Sequence, residues 1–224
     1  MNRLKQYIAY FFYIGFNWNF RLAVFLIIHE IKGEKKYGIN TCRIDNLIRS
    51  VPEKLLKHAS IYQPVNFFIA EWLFEQVPEH LKRTTLIDVG CGMGRVLVMA
   101  LCKNFRKVLG IDISPEMCNY TEAILAEKIK HYPDSTYAVF CGNAQQMNIP
   151  DDVGVIFLFN PFDEHIMAGL IAQVRLSLFK KPRTIMVLYA SPTHKLLWME
   201  AGFDEKATVK KLRWLEGSVL VFEP

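Results

Sequence analysis

Apolar positions follow two rhythms along the chain. From Thr85 onward, short β-branched and apolar runs alternate with longer stretches in which apolar residues recur at helical spacing. The runs predict strands at 85–89, 107–111, 136–140, 153–159 and 184–189. The continuous ones, such as 153–159, suit a parallel sheet covered on both faces. Between them, helices are predicted from about Met93, from Pro115 to about His131 behind a Ser114 cap, and from about Asp163 to Phe179. Another runs behind Ser191-Pro192 to near Gly202. Two last strands, 207–214 and 218–222, meet at a turn carrying Glu216-Gly217. So short a connection requires antiparallel pairing. Alternation slips between Val209 and Leu212, which predicts a bulge.

The first sixty residues follow neither rhythm and read as an N-terminal apolar helical extension and linker (1–60) ahead of the main domain (61–224). Tyr7 to Ile28 is almost wholly apolar and aromatic, interrupted by Asn17, Asn19 and Arg21. Its length suffices to span a bilayer. A central arginine alone would cost about 2.5–3.5 kcal/mol there. No small-residue cleavage site follows an apolar core, which argues against a signal peptide. Two arrangements remain: residues 3–31 form one or two helices packed on the domain or on a second subunit, or they lie on the inner membrane surface. The three polar interruptions favour packing. Lys32 to Thr41 is charged and glycine-punctuated and reads as a linker. A short helix is predicted from Val51-Pro52 to about Ala59. A second runs from Pro64 to Gln76, with Val65, Phe68, Ile69, Trp72 and Leu73 on one face.

Lysine and arginine number 27 against 22 acids, a net charge of +5. So mild an excess does not point to nucleic acid. The cysteines number 5 and form no C-x-x-C pair, as in reduced thiols of a cytoplasmic protein. Neither the cysteines nor the 6 histidines have metal-ligand spacing, so no metal is expected.

The candidate chemistry begins where the first strand ends. Leu86-Ile-Asp-Val-Gly-Cys-Gly-Met-Gly-Arg95 sets Asp88 before alternate glycines, Gly90, Gly92 and Gly94, with Cys91 as a small residue inside the turn. Such glycines let a ligand approach bare backbone, and a helix opening there presents free N–H groups. A dinucleotide fingerprint would need a third glycine where Arg95 stands. The next strand ends in Asp112-Ile113, and an acid at that tip reaches ribose hydroxyls in nucleoside-binding sheets. Strand, D-x-G-x-G-x-G, helix, strand, acid resembles the S-adenosylmethionine (SAM) site of class I methyltransferases. The resemblance covers about residues 62–222. It implies an α/β, Rossmann-like sheet, mostly parallel with one antiparallel C-terminal strand, and SAM as cofactor.

The resemblance also implies roles for particular residues. Asp88, the glycine turn, Asp112 and Ile113 would hold the amino-acid and ribose parts of SAM. Asn143 and Ala144 would sit near the adenine, with an amide where the family often has an acid. Tyr62 and Gln63 would cover the cofactor. Phe159-Asn160-Pro161-Phe162 resembles the Asn-Pro-Pro-Tyr/Phe motif of nitrogen methyltransferases, with its second proline missing. Asn160, Pro161 and Phe162 are therefore the catalytic candidates, aiming an amine lone pair at the methyl group. Asp163, Glu164 and His165 read as helix-start residues or as a general base, and Tyr189 as a further pocket residue. Tyr-Gly-Ile-Asn-Thr, Tyr-Gln-Pro and Phe-Asn-Pro-Phe look like a bacterial subgroup of the family without an assigned substrate. A fainter likeness is to membrane-associated protein-lysine methyltransferases. The expected acceptor is a protein amino group first and a small molecule second. The rival reading is a non-catalytic SAM-binding scaffold that docks a partner through its N-terminal segment.

Overall fold

A computed structural model of the chain describes residues 3–41, 63–159 and 162–224. Its strands are β1 (Thr85–Val89), β2 (Lys107–Asp112), β3 (Thr136–Cys141), β4 (Val153–Phe159), β5 (Ile185–Ala190), β6 (Asp204–Lys211) and β7 (Leu215–Phe222). They form one sheet in the order β3-β2-β1-β4-β5-β7-β6. The first five strands pair in parallel, while β7 runs antiparallel between β5 and β6. The crossover between β1 and β4 creates a switch point at the strands' carboxyl ends, where open α/β sheets bind ligands.

The helices are α1 (Arg3–Asn17), α2 (Phe20–Tyr37), α3 (Phe67–Glu75), α4 (Arg95–Cys102), α5 (Pro115–Lys128), α6 (Glu164–Lys180) and α7 (Lys195–Glu200). Successive strand residues point to opposite faces, so each central strand feeds two cores. Leu86, Val155, Phe157 and Leu188 pack with α3 and α4. Ile87, Ile156, Leu158 and Val187 pack with α6.

The N-terminal apolar stretch is two helices folded into a hairpin. Asn19 breaks it, because its side-chain oxygen accepts the Leu22 N–H at 2.8 Å and starts α2. Ile14, Leu22, Ala23 and Leu26 form a small core that Leu212 of the β6–β7 turn and Leu215 at the start of β7 join. The hairpin therefore packs on its own domain.

Several expected boundaries move, each for a local reason. The expected linker at 32–41 is helical as far as Tyr37. A Cβ on Gly33 would come within 2.2 Å of the Phe67 ring, so this glycine allows helix-to-helix contact and ends nothing. The helix terminates instead at Gly38, in the left-handed conformation. The helix expected from Pro64 begins at Phe67, where the Asn66 side chain caps the Phe68 N–H at 2.9 Å. α4 starts at Arg95, two residues after Met93, because Gly94 still belongs to the turn. Ser191 does not cap α7. Its φ is 49°, its N–H donates to the Glu216 carbonyl, and the helix begins at Lys195. The final hairpin turns at 212–214, with Leu212 and Arg213 left-handed. Glu216 and Gly217 thus lie within β7, and the register irregularity falls between Glu205 and Ala207. The helix expected at 51–59 lies outside the described residues.

Candidate functional site

Gly90, Gly92 and Gly94 all take left-handed φ values, 78°, 50° and 76°. A side chain at any of them would be strained. The turn is held from below by β2: the Gly90 and Cys91 N–H groups both donate to the Ile111 carbonyl, at 2.8 and 3.0 Å. Asp112 closes it from the side. One carboxylate oxygen accepts the Gly92 N–H at 2.8 Å, and the other accepts the Ser114 N–H at 2.9 Å. The Thr121 hydroxyl donates to the Gly92 carbonyl at 2.6 Å. Asp112 thus shapes the glycine turn, a role the sequence did not suggest. A carboxylate oxygen carries two lone pairs, so each still has capacity for a ligand hydroxyl. Ile113 beside it is half-buried.

Asp88 is 4% exposed, and no hydrogen bond to its carboxylate forms among the described residues. Burial, reinforced by the neighbouring Asp112 charge, pushes its pKa well above the carboxylate range. Burial also raises Asp112, against the pull of the backbone N–H groups it accepts from. Cys91 is buried and its thiol is driven up by burial, then by Asp88 and Asp112, so it is no reactive thiolate. Two acids beside bare glycine backbone suit a cation that carries hydroxyls and N–H donors. SAM, with its ammonium, sulfonium and ribose, matches that donor set.

The first residue of α4 anchors the turn to the N-terminal hairpin. Arg95 pairs with Glu30 through both carboxylate oxygens, and the two side chains are 3% and 4% exposed. It also donates to the Thr41 hydroxyl and the Val65 carbonyl, both at 2.7 Å, and lies 4.0 Å from the Phe67 ring centroid.

Asn143 follows β3 and caps a short turn, accepting the Gln145 N–H at 3.0 Å, while Ala144 is buried. A Cβ on the preceding Gly142 would meet nothing within 4 Å, so the space above this turn is open. Phe162 packs on the core beneath the sheet, and Asp163 caps α6 by accepting the Ile166 N–H at 3.0 Å. Tyr189 is fully buried, its hydroxyl accepting from the His194 N–H, and it takes no part in the pocket described next. Tyr62, Asn160 and Pro161 lie outside the described residues.

A cavity of about 200 Å³ opens at the tips of β4 and β5, walled by Phe159, Ala190 and Ser191. The hairpin supplies Tyr10, Ile14 and Trp18 to its wall, the β6–β7 turn supplies Trp214, the start of β7 supplies Glu216, and Gln63 and Pro64 border it. Gln63, expected from the resemblance as a cover over the cofactor, borders this cavity, and the pattern of the sequence did not single out Tyr10, Trp18 or Trp214. Tyr10 stands mid-helix among other aromatics, and Trp18 and Trp214 at a helix end and a turn, positions that by themselves indicate nothing.

Sheet order, glycine turn and strand-tip acid together match the arrangement that the resemblance to class I methyltransferases implies, with SAM as its cofactor. Residues 86–178 match a family model described as a methyltransferase domain, and the chain carries such a domain. Over 67 residues it is 34% identical to the tRNA U34 carboxymethyltransferase of Shewanella baltica, a match covering 29% of this chain and 20% of that protein. The chain thus spans about a fifth of the length of the curated relatives it matches. Two solved structures share the fold. A SAM-dependent methyltransferase from Aquifex aeolicus aligns with a TM-score of 0.51 at 17% identity, covering 80% of this chain and 99% of that one. A ribosomal protein L11 methylase from Lactobacillus delbrueckii subsp. bulgaricus aligns at 0.51 with 20% identity, covering 73% and 90%.

Proposed function

We propose that the chain transfers a methyl group from SAM to a nitrogen nucleophile, a protein amino group first and a small molecule second. The observation that carries the reading is the glycine turn closed by Asp112 beside the buried Asp88. SAM would supply an electrophilic methyl on a positively charged sulfur. Asp112 and Ile113 would hold the ribose, Asp88 the ammonium, and Asn143 and Ala144 the adenine side. The residues around the cavity at the tips of β4 and β5 would bind the acceptor and exclude water from it. Phe159 stands in that wall directly before Asn160 and Pro161, the pair assigned to orient the nitrogen. Residues 3–31 would meet a further partner, a membrane surface or a second copy of the chain.

The test is radiolabelled methyl transfer from SAM into a lysate separated into protein, nucleic acid, lipid and small molecules. Asp112→Ala and Asn160→Ala run beside the unaltered chain. Label in the protein fraction, lost in both variants while Asn160→Ala keeps its SAM affinity, supports the reading. SAM binding with no label in any fraction favours a scaffold. Label confined to nucleic acid or lipid overturns the amino-group acceptor.

A further inference from the structure

The N-terminal hairpin presents more apolar surface than its own packing uses. On α1, Ile8, Phe12 and Phe16 stand one turn apart and are exposed, Phe16 by 75%. On α2, Phe20, Val24, Ile28 and Ile31 form a second exposed stripe. The stripes join across the hairpin tip, where the Phe12 and Phe16 rings lie 5.9 Å apart and those of Phe16 and Phe20 5.6 Å apart. Tyr13 and Trp18, in edge contact at 5.9 Å, flank the tip and are also exposed. Single exposed apolar side chains are ordinary, but a continuous band marks a surface that is normally covered.

The charge around the band says by what. The hairpin has two acids, Glu30 and Glu34, and both are buried, one against Arg95 and the other accepting from Tyr7. Among the described side chains of the hairpin, the exposed charges are therefore all positive: Lys5, Arg21, Lys32, Lys35 and Lys36, of which Lys36 is paired with Glu71 of α3. At 100° per residue, Arg21 and Lys32 border the α2 stripe and Lys35 continues it. A second copy pressed face to face would oppose like charges. An anionic lipid surface complements both the apolar band and its basic border. Tyrosine and tryptophan at the tip are the side chains that settle at bilayer interfaces. No helix among the described residues is long and apolar enough to cross a membrane, so the fit is to a surface contact.

We infer that the outer face of the α1–α2 hairpin docks the protein on an anionic lipid surface, with the aromatic tip inserted and the basic residues at the headgroups. The test is flotation of the full chain with vesicles of phosphatidylcholine alone or of phosphatidylcholine mixed with phosphatidylglycerol. Binding to the mixed vesicles, little to the neutral ones, and a fall with added salt are expected. Lys32→Ala with Lys35→Ala should weaken binding about 25-fold, roughly fivefold per cation. Phe12→Ser, Phe16→Ser and Phe20→Ser together should abolish it, with SAM affinity and melting temperature confirming that the fold survives. Failure to float with anionic vesicles, equal flotation with both compositions, or a dimer that the phenylalanine variant dissolves without any vesicle binding would each overturn the inference.

Discussion

Glu30 and Arg95 form a two-pronged ion pair that is buried on both sides and joins the N-terminal hairpin to the first residue after the glycine turn. Removing one partner leaves an uncompensated charge in the interior. Arg95→Ala should therefore lower stability by about 3–5 kcal/mol, read from chemical denaturation. Replacing both, Glu30→Leu with Arg95→Met, should regain most of that loss, because paired apolar side chains incur no desolvation cost.

With Asp88 at the SAM ammonium, as proposed, cofactor binding depends on pH. The raised pKa of Asp88 means that the free chain holds a proton there above the ordinary carboxylate range. Binding a cation beside it expels that proton. SAM affinity should rise with pH until the carboxyl of the free chain ionises, and then level off. Asp88→Asn should flatten the profile in calorimetric titrations. The stability of the free chain moves the other way. The unfolded chain ionises first, so this group's contribution falls as pH climbs from the ordinary carboxylate range through the raised folded value.

Two glycines should respond unequally to alanine. At Gly33 a new Cβ would lie 2.2 Å from the Phe67 ring, wedged where α2 meets α3. Overpacking of this kind costs about 1–3 kcal/mol, and the helix-propensity gain offsets only part of it. At Gly142 the new methyl meets nothing within 4 Å, so stability should change by less than about 0.5 kcal/mol. Thermal melts of the two variants provide the comparison.

With the acceptor in the cavity at the tips of β4 and β5, as proposed, its aromatic wall should act on the acceptor alone. Trp214→Ala removes a ring from that wall without touching the glycine turn. Once an acceptor is in hand, its KM should rise roughly tenfold, about 1.4 kcal/mol, while the Kd for SAM stays unchanged. A parallel loss of SAM affinity would mean that the cavity belongs to the cofactor.

The strands of the sheet were legible because their signal is local. Thr85–Val89 and Val153–Phe159 begin and end where their apolar runs do. The glycine turn was legible because its chemistry depends on residue type at fixed spacing. What stayed hidden depends on contacts distant in sequence. The linker reading of 32–41 failed because Gly33 looks like a helix breaker until Phe67 is set against it. Arg95 was read only as the residue that spoils a dinucleotide pattern, because its partner Glu30 stands 65 positions earlier. The final hairpin was displaced because Leu212 and Arg213 take left-handed φ values that their residue types do not announce. Trp18 and Trp214 share a cavity wall only because the α1–α2 hairpin folds back onto the β6–β7 turn.

The Glu30–Arg95 strut has one more implication. Arg95 opens the helix at the cofactor turn, and Glu30 sits on the helix whose far side carries the apolar stripe. A tilt of α2 would carry Glu30 with it and so bear on the first turn of α4. Two binding events that share such a rigid member exchange free energy symmetrically. Whatever factor contact at the hairpin imposes on SAM affinity, SAM must impose on that contact. The protein's hold on a surface would then report how much cofactor the cell has available.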